Sequence, residues 1–147
     1  MMICIPFILQ ALLIAVDEYY FHLKRGLPRW ERIGHPIDTL SVLLCLFFVL
    51  FVPFSIFALK WYVGLSLFSC LMVTKDEFVH KHHCPAAENW LHALLFINHP
   101  VLLTCAGLIW CFHESLRTFL WTQTLFAFLF FFYQIIYWNF LCKQKPL

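Results

Sequence analysis

The sequence predicts an all-α integral membrane protein with five transmembrane helices. The first observation behind this prediction is composition: 63% of the 147 residues are hydrophobic and 12% are charged, and the mean hydropathy is +0.80. An ordinary soluble domain is excluded by such values. The formal net charge of +2 is too small to indicate a nucleic-acid partner.

The second observation is a series of long apolar runs, since a spanning helix needs about 20 apolar residues. A polar loop between the first two runs is predicted from four basic residues, Lys24, Arg25, Arg29 and Arg32. Gly34-His35-Pro36 is expected to break the helix there. Lys60 is expected to mark a very short turn, and Pro85 to begin a helix. The predicted helices, within a single transmembrane domain of residues 1–147, are approximately 1–23, 37–59, 61–80, 85–112 and 118–141.

The third observation is the distribution of Lys and Arg between the loops. Five spans place Lys60 and Arg117 on one side and the other eight basic residues on the opposite side. Basic residues in short loops favour the cytoplasm. The sequence therefore predicts an external N-terminus and a cytoplasmic C-terminus. The eight residues are Lys24, Arg25, Arg29, Arg32, Lys75, Lys81, Lys143 and Lys145.

Histidines and acidic residues follow the same partition. Seven of the eight His and seven of the eight acidic residues lie at the predicted cytoplasmic ends of helices one to four, and His113 and Glu114 are the exceptions. Placing ionisable groups beside membrane hydrocarbon costs free energy. The positive-inside rule concerns Lys and Arg, so it does not explain why His and acidic residues lie on the same side. Metal binding would explain their gathering, since both are ligands for iron, zinc and manganese. A polar network without metal is the alternative. The candidate ligands are Glu18, His22, Glu31, His35, Asp38, Asp76, Glu77, His80, His83, Glu88, His92 and His99.

Part of this pattern occurs twice. The spacing P-x-x-E-x-x-x-H fits Pro28, Glu31 and His35 and again Pro85, Glu88 and His92. An acidic pair and a His precede each copy, at 17–22 and at 76–80. The pattern suggests an internal duplication of a helix–loop–helix unit, each copy carrying half of one shared site.

Several pairs have the spacing of one helix face. Glu77 and His80 match the Glu-x-x-His of di-iron helical bundles, whereas Glu18 and His22, like Glu88 and His92, are four apart. Other roles remain open for some candidates. Asp17 and Asp76 could orient a ligating His, Glu31 could pair with an Arg, His99 could bridge helices, and His82 and His83 could be solvated loop residues.

At residues 80–83 the chain resembles the histidine-rich membrane di-iron enzymes, the class of fatty-acid desaturases and hydroxylases. His80-Lys81-His82-His83 is similar to a shortened H-x-x-H-H box. An H-x-x-x-H box is missing, carboxylates are more abundant, and the chain is short for that class. The resemblance implies a di-iron cofactor, oxidation of a lipid-like substrate with dioxygen, and an electron-donor protein as partner.

Iron is therefore the expected metal, with zinc and manganese as alternatives. Zinc would instead imply hydrolysis through an activated water. A metal or proton carrier and a protein with a structural metal site are further alternatives. A carrier should have polar residues along the whole membrane depth, whereas the candidates gather at one end.

Overall fold

The computed structural model of the chain describes residues 2–75 and 84–142. In these two segments all regular structure is helical, and five helices are long and apolar enough to cross a membrane. The prediction of an all-helical chain with five such helices is confirmed. The helices are α1 (Met2–Arg25), α2 (Arg29–Phe51), α3 (Ile56–Thr74), α4 (Ala86–Phe112) and α5 (Glu114–Leu141).

Helix α2 begins eight residues earlier than predicted. The expected break at Gly34-His35-Pro36 is wrong, because Pro36 lies inside a continuous helix that starts at Arg29. Pro28 precedes the first turn with extended dihedral angles and ends the preceding loop. Proline is tolerated inside apolar helices when neighbouring groups compensate for its missing hydrogen bond.

The connection between α2 and α3 also differs from the prediction. Helix α2 ends at Phe51 and α3 begins at Ile56, so Lys60 lies inside a helix and the predicted turn there is wrong. Pro53 lacks the N–H that the helix needs to continue. The Ser55 hydroxyl then caps α3 by accepting a hydrogen bond of 3.0 Å from the Ala58 backbone N–H.

Helices α2 and α4 form the centre of the bundle. Helix α1 packs mainly against α4, α5 mainly against α2, and α3 against both α2 and α4. The buried core is correspondingly built from apolar residues of α2 and α4, including Cys45, Val49, Leu103, Ala106 and Ile109. Many large apolar side chains of α1, α3 and α5 are exposed, as expected for surfaces that contact lipid.

The close approach of α3 to α4 depends on Gly107. A Cβ at this position would lie 2.9 Å from Cε1 of Tyr62. The Tyr62 ring is buried, and its hydroxyl donates a hydrogen bond of 2.6 Å to the Leu103 carbonyl oxygen. The ring therefore has little freedom to move aside, and small residues allow this kind of packing.

Replacing Gly107 by alanine is expected to lower the free energy of unfolding by roughly 1–3 kcal/mol, because an added methyl group overpacks this contact. Reversible unfolding of the purified protein in detergent would measure the change. Gly64→Ala is the matched control, since a Cβ there meets nothing within 4 Å. Equal stability of the two variants would contradict the proposed role of Gly107.

Candidate metal centre

A wide helical turn in α1 brings three of its ionisable residues together. Residues Asp17–His22 form a π-helical turn, and the backbone N–H of Leu23 donates to the Glu18 carbonyl oxygen five residues earlier. Such turns are frequent at functional sites. The extra residue per turn places Asp17 and Glu18, at distances of five and four in sequence, both beside His22.

The His22 ring is held between these two carboxylates. Its Nδ1 lies 3.1 Å from Glu18 Oε2, and its Nε2 lies 3.2 Å from Asp17 Oδ2. Glu18 in turn accepts hydrogen bonds from the Tyr133 hydroxyl at 2.6 Å and the Trp138 indole N–H at 2.9 Å. A carboxylate at Nδ1 favours the tautomer whose lone pair is on Nε2, and metal-binding histidines have this support.

Four buried residues of α1 and α4 converge on one point. Asp17, His22, Glu88 and His92 each offer a donor atom, and these atoms all lie within 4.8 Å of one another. Asp17 Oδ2 is 3.3 Å from His92 Nε2, and Glu88 Oε1 is 3.7 Å from His22 Nε2. All four side chains are buried, Glu88 completely.

The distances between these donor atoms are compatible with a single metal ion bound by all of them. Two ligand atoms about 2.1 Å from one metal are about 3.0 Å apart at a right angle and about 3.4 Å apart at a tetrahedral angle. Hydrogen bonds have similar lengths, and His92 Nε2 forms one with Asp17 Oδ2 at 3.3 Å. The His22 ring differs from His92 in this respect. His22 Nε2 is buried and has no correctly directed hydrogen bond among the described residues, although Asp17 Oδ2 is close.

Asp17 also indicates that a cation could bind beside His22. Its second oxygen, Oδ1, is buried and has no hydrogen-bond partner in the described part of the chain. A buried polar atom without a partner costs about 1–3 kcal/mol. A cation placed between Asp17 and His22 would compensate this cost and would use the lone pair on His22 Nε2.

A second group of donor atoms adjoins the first. His22, Glu31 and His35 also offer atoms within 4.8 Å of one another, and the His22 and His35 ring centroids are 5.0 Å apart. Both groups contain His22. A neutral imidazole has one lone pair, so His22 in that state serves one ion at a time.

Arg25 connects the two groups through their glutamates. Its Nη2 atom lies 2.8 Å from Glu31 Oε2 and 2.7 Å from Glu88 Oε1. Both glutamates are 0% exposed. A guanidinium has several fixed donors and can hold two carboxylates at once. The sequence-based alternative of an Arg partner for Glu31 is therefore observed, and Arg25 supplies it.

The two sequence copies occupy equivalent positions. Pro28 and Pro85 precede α2 and α4 with nearly identical dihedral angles: φ −62° and ψ 157° in the first, φ −66° and ψ 155° in the second. Glu31 and Glu88 lie in the following first turns, and both bind Arg25. His35 and His92, one turn further, each belong to one of the donor groups.

Three predicted ligands among the described residues lie outside both donor groups: Glu18, Asp38 and His99. Glu18 contacts His22 Nδ1. Asp38 forms an ion pair with the Lys75 ammonium group. His99 Nε2 lies 3.0 Å from the Ser69 hydroxyl, which connects α4 to α3, so the alternative of a helix-bridging histidine is observed. The remaining candidates fall outside the described residues, and their ligand roles stay predictions: Asp76, Glu77, His80 and His83, together with His82.

Burial also affects the protonation state of the Cys84 thiol. The pKa of its thiol is raised to about 12 by burial and by the charge of nearby Glu88, so the thiol is protonated at neutral pH. Its sulfur lies 3.6 Å from Arg25 Nη2, and it belongs to neither donor group. The described donor set therefore consists of imidazole and carboxylate without thiolate.

A cavity of about 620 Å³ leads from the cluster into the bundle. Such a volume is typical of sites for small molecules. Its polar end contains Asp17, Glu18, His22, His35 and His92. The rest is mainly apolar and includes Phe7, Leu12, Val42, Leu46, Leu102, Phe126 and Phe130.

Some functional residues of the cluster were not predicted as ligands from the sequence. Asp17 was assigned an orienting role, yet it offers a donor atom. Tyr133 and Trp138 were not connected with the site, although both donate hydrogen bonds to Glu18. An Arg partner was considered for Glu31 alone, whereas Arg25 also binds Glu88. Sequence spacing gave no signal for Tyr133 or Trp138, because they lie more than 100 residues from Glu18.

Glu18→Gln is expected to weaken metal binding by about 10- to 100-fold, the usual effect of losing a carboxylate behind a ligating histidine. The amide keeps the size of the side chain but lowers the basicity of His22. Equilibrium titration of the metal-depleted protein with Fe²⁺ or Zn²⁺ would measure the affinity. Glu114→Gln, at the other end of the bundle, should leave it unchanged; a similar loss there would contradict the local effect.

Fold and site together define a class: an all-helical chain with five helices able to cross a membrane and a buried histidine–carboxylate cluster that could hold a metal ion. No protein-family model, no curated protein and no solved structure matches the chain.

Proposed function

We propose that this chain is an integral membrane enzyme that uses a bound transition metal, most consistently iron, to oxidise a lipid-like substrate with dioxygen. The observation that carries the proposal is the convergence of Asp17, His22 and His92 at the polar end of an apolar cavity. Two histidines and one carboxylate are the ligand set of many non-haem Fe²⁺ oxygenases.

Arg25 supports the same assignment of ligands. It forms two hydrogen bonds with Glu88, of 2.7 and 3.4 Å, and neutralises its charge. Asp17 has no such cationic partner among the described residues and contacts His22 and His92. Glu88 can therefore remain bound to Arg25 and not to the metal, which leaves coordination positions for dioxygen or substrate.

The residues of the chain have separate parts in this reaction. The metal, when bound, supplies activation of dioxygen. Glu18 fixes the His22 ring through Nδ1, and Tyr133 and Trp138 fix Glu18. The apolar wall of the cavity excludes water and holds a hydrocarbon chain beside the donor atoms. The electrons come from a donor protein, which we also propose as partner.

The test is oxygen consumption by the purified protein, reconstituted in lipid vesicles with Fe²⁺ and a reductant. We expect uptake that depends on iron and lipid, with oxidised lipid detected by mass spectrometry. Asp17→Asn should abolish it. If Zn²⁺ instead supports release of a hydrolysis product, the protein is a zinc-dependent hydrolase, which the same donor set can support.

We further propose that the cluster lies at the cytoplasmic face, which the distribution of Lys and Arg supports. A cysteine at the exposed position Ala87 should resist a membrane-impermeant maleimide added outside intact cells, and one at Ser115 should react. Cys84 and the two thiols near the opposite end, Cys4 and Cys111, must first be replaced by serine, because Cys4 and Cys111 could react from outside in the proposed orientation. The opposite labelling pattern would reverse the assigned orientation.

A further inference from the structure

The cavity has an opening between α1 and α5. These helices do not pack against each other along their length, since α1 packs on α4 and α5 on α2. Among the described residues, α1 and α5 contact each other near the two ends of the cavity. At one end the Phe7 and Phe119 rings are 5.3 Å apart. At the other, Glu18 accepts hydrogen bonds from Tyr133 and Trp138.

Between these two links, one stripe of each helix lines the cavity. The α1 stripe consists of Ile8, Ala11, Leu12 and Ala15, which have the spacing of a single helical face. Gln10 and Ile14 line the cavity beside this stripe. The α5 stripe has the same spacing and consists of Gln123, Phe126, Ala127 and Phe130. Alanines in both stripes leave room that larger side chains would fill.

The exposed fractions of two lining side chains show where the cavity opens to the outside of the bundle. Leu12 and Phe126 line the cavity and are also 60% and 63% exposed. Phe7 and Glu18 are eleven positions apart in sequence, so the gap between the two links is about 16 Å long at 1.5 Å per residue. In a membrane-spanning bundle, an opening of this position and length faces lipid hydrocarbon rather than water.

We infer that the gap between α1 and α5 is a lateral portal through which one acyl chain of a bilayer phospholipid enters the cavity. The inference rests on the proposed function, because it assigns the access route and the chain-binding subsite to the same centre. The apolar stripes contact the chain, and the donor atoms of Asp17, His22 and His92 lie at the inner end. The remainder of the lipid stays outside the portal.

Photolabelling of the full chain in phosphatidylcholine vesicles tests this route, with a small fraction of the lipid carrying a diazirine in the middle of one acyl chain. After irradiation, mass spectrometry should locate the label on the α1 and α5 stripes. Ala11→Trp should reduce this labelling at least several-fold by filling the portal. Leu9→Trp is the matched control, because Leu9 is exposed on α1 but does not line the cavity.

Metal content measured on the same samples separates this inference from the proposed function. Bound metal with labelling that is insensitive to Ala11→Trp, or that is equal on the Leu9 face and on the stripe, overturns the portal alone. Labelling by diazirine-bearing free palmitic acid but not by the phospholipid overturns the assigned occupant. Portal-dependent labelling of a protein that binds no metal supports the portal and removes the proposed enzyme.

Discussion

Arg25→Gln is expected to lower the free energy of unfolding by roughly 3–5 kcal/mol, the usual cost of leaving a buried charge without its partner. Arg25 holds two carboxylates, Glu31 and Glu88, that are completely buried. Glutamine cannot neutralise either one. Reversible unfolding in detergent, with a chelator present so that bound metal does not replace the lost charge, would measure the effect.

Two further variants make this prediction specific. Arg29→Gln removes an exposed guanidinium four residues away and should change stability little. Adding Glu31→Gln to Arg25→Gln should recover part of the loss, because it removes one buried carboxylate that has lost its ion pair with Arg25. If Arg25→Gln and Arg29→Gln unfold at the same denaturant concentration, the buried ion pairs do not support the fold.

His22→Ala is expected to remove essentially all bound transition metal while the protein remains inserted. His22 belongs to both donor groups, so no other single described residue should have a larger effect. Insertion depends on the apolar helices, which this change leaves intact. Elemental analysis of the purified variants would give the metal content for each chain.

The metal content of three further variants tests which donor group binds the metal. His92→Ala should lose the metal of the four-residue group, and His35→Ala should affect only the group that contains Glu31. His113→Ala, at the opposite end of the bundle, should retain the wild-type metal content. Full retention by His22→Ala would exclude both groups as the binding site.

The helices could be predicted from the sequence because their signal is local. Apolar runs of spanning length located all five, and Pro85 marked the beginning of α4. Errors arose where one residue was given too much weight. Pro36 is accommodated inside α2, and the helix break near Pro53 replaced the turn expected at Lys60. The accommodation of Pro36 depends on packing that local sequence does not contain, whereas Pro53 and the Ser55 cap are local signals that outweigh Lys60.

The site was predictable in part for a similar reason. The repeated P-x-x-E-x-x-x-H pattern located Glu31, His35, Glu88 and His92, which the fold brings to one end of the bundle. The π-helical turn at Asp17–His22 has no comparable sequence signal, although it brings Asp17 and His22 together beside His92.

Metal content is the measurement that tests the central claim most directly. The wild-type protein, purified under reducing and iron-replete conditions and analysed by inductively coupled plasma mass spectrometry, should carry at least one transition-metal ion per chain. Asp17→Asn should carry far less. A correctly folded wild-type protein without any transition metal, before and after incubation with Fe²⁺, Mn²⁺ or Zn²⁺, would contradict the account.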